Sequence, residues 1–339
     1  MSTLSGALRV VTAALALLCI VVLAAPAAAQ QRNPDGSVNP TASAVREQQL
    51  LQELQKVQGR VTIPNQNAGV LIQPAGQNWR HFHEVTQRWI GGIAIVGMLV
   101  LLVVFYLMRG MVRISSGRSG RTITRFNAFE RFVHWMTATC FIILAITGLN
   151  ITFGRPLLMP LMSAEAFTTW SEFAKYSHNF VSFPFTIGVV LIFLMWITGN
   201  IPNRVDVEWI KRGGGIVGDD HPPAYRFNAG QKMIYWIVVI GGAAVAITGY
   251  ILMFPFYGDM TVSGMQTAQV VHSVVSMLFI AAMLAHIYIG SIGMEGAFEA
   301  MGTGEVDVNW AREHHSLWLD EEMRNRDAAP TGARATPAE

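Results

Sequence analysis

Residues 269–290 read QVVHSVVSMLFIAAMLAHIYIG. The stretch is apolar and long enough to span a bilayer, which takes about 20 residues of helix. Between His272 and His286 only Ser273 and Ser276 are neither apolar nor small. The histidines are fourteen positions apart. On an α-helix that spacing is about 21 Å of rise and a net rotation of about −40° after nearly four turns. Both imidazoles therefore look out from one face, near opposite membrane surfaces. Ionisable groups inside a bilayer are costly and mark functional sites. Two stacked imidazoles on one helix point to two stacked metal centres, and haem iron is the usual metal for histidine in a helix bundle.

Composition agrees with a membrane protein. The 339 residues are 52% hydrophobic and only 14% charged, too apolar for a soluble domain of this length. The net charge of +2 offers nothing for a nucleic-acid partner. The two cysteines, Cys19 and Cys140, form neither a disulfide framework nor an iron–sulfur motif. Any iron–sulfur cluster must then belong to another chain.

In chain order, residues 1–29 read as a signal peptide: Arg9, an apolar run from Val10 to Ala24, and Ala27-Ala28-Ala29 at the cleavage site. The competing reading is an uncleaved first transmembrane helix. Leu18 before Cys19 argues against a lipoprotein site. Residues 30–88 form a polar periplasmic segment, a tether or a docking arm, with a short helix expected over Ser43–Gln58. His81 and His83 in it read as interfacial rather than metal-binding. Five apolar spans follow, approximately Trp89–Met108, Phe132–Phe153, Phe180–Gly199, Met233–Phe254 and Gln269–Gly290.

Charge sets the orientation. Residues 109–131 hold Arg109, Arg113, Arg118, Arg121, Arg125 and Arg131 against one acid, Glu130. The loop between spans three and four is also basic, while the loop between spans four and five has no Lys or Arg. The basic loops are cytoplasmic, the N-terminus is outside as a cleaved signal requires, and the C-terminus is inside. Residues 293–339 form a cytoplasmic tail, a helix or partner-docking surface, with His314-His315 a solvated or interface pair.

Direction gives each histidine a depth. His134 opens the second span on the cytoplasmic side, and His178 opens the third on the outer side. His272 is outer and His286 inner. Depth pairs His134 with His286 and His178 with His272, predicting two bis-histidine haems b. His221 has no partner at its depth. Gly148 repeats the helical phase of His134 at the outer level, where a missing side chain makes room for a porphyrin edge or for helix packing. At the start of the fourth span, Asn228, Gly230 and Gln231 lie level with His286. They form either a quinone pocket or an ordinary capped helix start.

Several segments resemble the gamma subunit of respiratory formate dehydrogenases, a cytochrome b. They are ERFVHW (130–135) with ITGL (146–149), His178, IPN (201–203), FNAGQKMIYW (227–236) and HSVVSMLFIAAMLAH (272–286). The likeness covers about residues 125–320. It implies a four-helix bundle with two haems b ligated at His134, His178, His272 and His286. It also implies a quinone site, for menaquinone or ubiquinone, at Asn228, Gly230, Gln231 and His286. The implied partners are an iron–sulfur beta subunit and a molybdenum- or tungsten-containing alpha subunit that oxidises formate, and the implied location is the bacterial inner membrane.

The fold expected is thus an all-α integral membrane protein. Its four-helix haem-binding bundle spans 132–292, with one extra N-terminal transmembrane helix at 89–108 that the family's short form lacks. Alternatives are a cytochrome b serving another molybdoenzyme or a nickel–iron hydrogenase, and a haem-free membrane anchor or assembly protein.

Overall fold

The computed structural model describes residues 74–215, 220–256 and 261–328. The expected signal peptide and the Ser43–Gln58 helix lie outside them. The chain divides into two units, Met1–His81 and Phe82–Glu339. Within the first, Pro74–His81 is an α-helix (α1).

Among the described residues, five helical stretches are long and apolar enough to cross a membrane: Asn78–Arg109, Ala128–Leu157, Ala164–Trp196, Ala229–Met253 and Val262–Gly293. In the second unit these contain α2 (Gln87–Arg109), α3 (Ala128–Leu157) and α4 (Ala164–Trp196). The fourth is α6 (Ala229–Trp236) continued through a π-helical turn, Ile237–Gly241, into α7 (Gly242–Met253). The fifth is α8 (Val262–Tyr288), ending in a π turn at Ile289–Gly293. A short helix, α5 (Arg204–Lys211), precedes the fourth. The protein is an all-α membrane bundle, as the apolar runs require.

Three helices begin with the same device. Asn127, Asn203 and Asn228 each cap a helix, and Glu130, Asp206 and Gln231, three residues on, bond back to the cap N–H. Ser163 and Thr261 cap α4 and α8. The Ser163 cap explains why α4 starts sixteen residues before the apolar run: at 33 residues and about 1.5 Å each, the helix outreaches a ~30 Å hydrocarbon core. His178 consequently lies well inside α4 rather than at its start.

In lipid, apolar surface gives little drive for helices to associate, so close approach at small residues carries the packing. A Cβ on Gly188 of α4 would collide with Thr137 of α3, and one on Gly242 would lie 2.9 Å from Val189 of α4. The extra helix α2 packs on α8, where Gly91 seats the side chain of Met277. Phe105 and Tyr106 of α2 meet the ring of Tyr288 edge-on. The opposite face of α2, including Trp89, Ile93, Val100 and Leu107, is exposed and suits lipid.

The basic end of the bundle carries a folded cap that the apolar pattern did not foretell. Strands β1 (Thr122–Thr124) and β2 (Glu305–Asp307) pair antiparallel, Ile123 opposite Val306. The tail continues as α9 (Ala297–Gly302) before β2, then α10 (Val308–His314) and α11 (Ser316–Ala328) after it. Glu313 accepts from the N–H groups of Ser115 and Ser116. Asp307 accepts from Ser119 and Gly120.

The His314-His315 pair, expected to be solvated or at a partner interface, is instead buried inside the chain, at 8% and 0% exposure. His315 packs on Trp310 and Trp318, and its Nδ1–H donates to the carbonyl of Tyr225 at 2.7 Å. The guanidinium of Arg125 lies over Trp310 and Trp318, about 5 Å from each ring, closing the cap by cation–π contact.

The cap should loosen in acid. Burial, with the nearby Arg125 charge adding to it, holds His315 well below its usual value. Burial likewise pushes His314 down to about 4. Unfolded histidines bind a proton near pH 6.5. Between about pH 6.5 and 4 the unfolded chain therefore binds more protons, so stability falls as pH falls, by up to about 3 kcal/mol for His314. The carboxyls act in the same direction at lower pH, once it falls below the ordinary carboxyl range of about 4. Burial pushes Asp307 and Glu313 up, but hydrogen bonds from Ser119, Asn309 and Ser116 more than offset it, and both sit below the usual range. Tryptophan fluorescence followed from pH 7 to 4 should show the cap opening across this window, and His314→Gln should flatten much of the transition.

Candidate metal centres

The histidine pairs inferred from depth are adjacent in space. The ring centres of His134 (α3) and His286 (α8) are 6.2 Å apart, with planes at 62°. Those of His178 (α4) and His272 (α8) are also 6.2 Å apart, with planes at 71°. Both separations suit a metal held between the rings. Imidazole–metal bonds of ~2.0–2.1 Å, with each nitrogen ~1.2 Å from its ring centre, give a span of roughly 6.4 Å. Two nitrogens per level, with no third His, Cys, Asp or Glu joining to make a metal cluster among the described residues, is the donor set of an axially ligated haem rather than of a tetrahedral zinc site.

The first pair lies at the basic end of the bundle and the second toward the other end. Phe141, Phe185 and Phe279 fill the level between them. Their ring centres are 4.9 Å apart for Phe141 and Phe279 and 6.3 Å for Phe141 and Phe185. Each of the three lies seven residues, two helical turns, beyond a histidine of the same helix. With buried Cys140, Val181, Val189 and Met283 they form an apolar core that keeps water from the space between the pairs.

The second pair is held by hydrogen bonds. Thr147 Oγ1 lies 2.9 Å from His178 Nδ1, and Thr248 Oγ1 lies 3.1 Å from His272 Nδ1. The residue after each threonine is a glycine facing the same ring. A Cβ on Gly148 would come 3.3 Å from His178 Cε1, and one on Gly249 would come 3.2 Å from His272 Cε1. Gly148 thus makes room for an imidazole. The sequence signal for this was available and unread: the tetrad Ala-Ile-Thr-Gly occurs twice, at 145–148 and 246–249.

At the candidate quinone segment the side-chain oxygens of Asn228 and Gln231 are taken up by the helix cap, at 2.9 and 3.2 Å from the partner N–H groups. Gln231 Oε1 also accepts from Arg125 Nη2 at 3.4 Å. What the two side chains offer beyond the helix is their amide N–H groups. Gly230 faces the indole of Trp209, so its missing side chain serves packing. Arg226 binds both oxygens of Glu130, whose Oε1 also accepts from Trp196 Nε1 at 2.8 Å. His221, unpaired by depth, lies 3.1 Å from Ser115 Oγ, with its ring 6.0 Å from that of His314.

Comparison with known proteins agrees with this architecture. The cytochrome b556(fdo) subunit of formate dehydrogenase from Escherichia coli K12 is 30% identical over 203 residues, 59% of this chain and 93% of that protein. The nitrate-inducible cytochrome b556(Fdn) subunit of the same strain is 26% identical over 205 residues, 59% of this chain and 92% of that one. The formate dehydrogenase cytochrome b556 subunit of Haemophilus influenzae is 26% identical over 212 residues, 60% and 85% of the two chains. The prokaryotic cytochrome b561 family model matches residues 125–304, more than half of the chain and the region that carries all four paired histidines. With both pairs spaced for an axially ligated iron inside a bundle that has five spans among the described residues, the chain belongs to the prokaryotic cytochrome b561 family.

Proposed function

We propose that this chain is the membrane cytochrome b subunit of a formate dehydrogenase, carrying electrons from an iron–sulfur partner subunit to a quinone. The observation that carries the reading is the pair of histidine levels on α8, each with a second histidine 6.2 Å away on another helix. His178 and His272 would hold one haem b, and His134 and His286 the other. Haem b, when bound, supplies reversible one-electron exchange at its iron.

The residues around these levels do the rest. Thr147 and Thr248 orient the second pair, and the phenylalanine layer excludes water between the levels. The amide N–H groups of Asn228 and Gln231, next to Arg125, are donors for a quinone carbonyl at the basic end. The excess of arginine there supports a cytoplasmic placement, with the His178–His272 level toward the outer side. Formate oxidation would then occur on a molybdenum- or tungsten-containing partner outside, across the bacterial inner membrane.

The test is formate reduction of the purified complex. Wild type should show b-type bands for two haems per chain and reduce added quinone. The double variant Asn228→Ala/Gln231→Ala should keep haem reduction and lose at least about tenfold in quinone reduction, the equivalent of one lost polar contact. Unchanged quinone reduction would remove Asn228 and Gln231 from the site.

A further inference from the structure

A hydroxyl has one proton to give. In both threonines beside the second histidine pair it goes to a carbonyl one turn back. Thr147 Oγ1 donates to Ile143 O at 2.7 Å, and Thr248 Oγ1 donates to Ala244 O at 2.6 Å. Each oxygen can then only accept from the imidazole nitrogen facing it. The proton of His178 must therefore sit on Nδ1, and so must that of His272. The carbonyl of Val245, 3.0 Å from His272 Nδ1, reaches the same conclusion independently, because a carbonyl only accepts. Both Nε2 atoms are left bare, with their lone pairs available. The first pair differs: His134 Nδ1 is buried and has no hydrogen-bond partner among the described residues.

We propose that Thr147 and Thr248 are positioning residues that lock His178 and His272 as Nδ1–H tautomers and, by accepting that proton, set the potential of the haem they hold below that of the other haem. The inference rests on the haem ligation proposed above. An imidazole that donates its second N–H is a more basic ligand and favours the ferric state, which lowers the potential. His134 lacks this support. The two levels are thereby ordered, with electrons running downhill from the His178–His272 level to the His134–His286 level. The repeated Ala-Ile-Thr-Gly tetrad is the sequence form of the device: threonine holds Nδ1 and glycine clears Cε1.

The test is a redox titration of the purified complex, followed at the b-type bands. The single-haem variant His272→Ala identifies the bands of the remaining haem. Thr147→Val should raise the potential of the His178–His272 haem by about tenfold in its reduction equilibrium, about 59 mV for one electron, and leave the other unmoved. Thr248→Val should shift it in the same direction, since each imidazole also faces a backbone carbonyl, Leu144 for His178 and Val245 for His272. Thr147→Ser should restore the wild-type value. If Thr147→Val fails to assemble, Thr147→Cys carries the test, since a thiol fills similar space but accepts poorly. An unshifted potential in whichever of these two variants retains both haems, or an equal shift of both haems, overturns the inference. A wild-type complex without two reducible b haems overturns the ligation it rests on, a distinct result.

Discussion

Replacing His286 with alanine is expected to remove one of two b haems and to abolish quinone reduction, while the His178–His272 haem stays reducible by formate. The effect should be the largest of any single substitution. Loss of an outer-shell partner alone costs ~10–100-fold in metal affinity, so loss of an axial ligand should exceed about 100-fold. The reciprocal variant, His272→Ala, should remove the other haem and break the link to formate instead, leaving a haem reducible by added quinol or dithionite. Haem content and reduced-minus-oxidised spectra of the two variants check this directly. If both variants lost the same bands, the two-level assignment would be wrong. The asymmetry follows from one helix carrying both residues at different depths, each facing a separate partner 6.2 Å away.

The second large effect is expected at Asp206. This carboxylate accepts from Lys232 Nζ at 2.8 Å, and both side chains are nearly enclosed, at 12% and 5% exposure. Lys232 also donates to the carbonyl of Ile201 at 3.1 Å. The pair ties α5 to α6 directly beside Asn228 and Gln231. Asp206→Ala would leave an ammonium buried without its counter-charge and remove the capping bond to Asn203 N–H. Breaking a buried pair from one side costs ~3–5 kcal/mol. A thermal-unfolding midpoint lowered by several degrees in detergent, with quinone reduction more impaired than haem reduction, is the expected outcome. Asp206→Asn keeps the cap and loses the charge, so it should fall between the two. The double replacement Asp206→Leu/Lys232→Met should recover much of the stability, because the cost lies in the orphaned charge rather than in the missing bond.

Much of the bundle was legible from residues alone because bilayer crossing is a one-dimensional requirement. Twenty apolar residues in a row, an arginine bias in alternate loops and a fourteen-residue histidine spacing are all local along the chain. Depth then reduces the pairing of four histidines to one choice, and the structure brings those same partners together. The limits of α4 were less legible. A helix can continue past the hydrocarbon on hydrogen bonds and a Ser163 cap, which apolarity does not register.

The cap at the basic end was not legible for a different reason. Its contacts join residues far apart in sequence, such as Arg125 with Trp310 and Trp318, and Glu313 with Ser115 and Ser116. A polar, mixed-charge tail reads as solvated until its partners are known. Burial of His315 depends on three elements closing around it, a property of none of them singly.

The sequence by itself therefore determined the class of protein, the five spans among the described residues and which histidines share a depth, because hydrophobic length and helical phase act residue by residue. Only the tertiary structure decided which nitrogen of His178 and of His272 is free. That depends on a threonine from a neighbouring helix whose single proton is already committed; the repeated Ala-Ile-Thr-Gly tetrad marks the place, but the direction of the hydrogen bond exists only once the helices are packed.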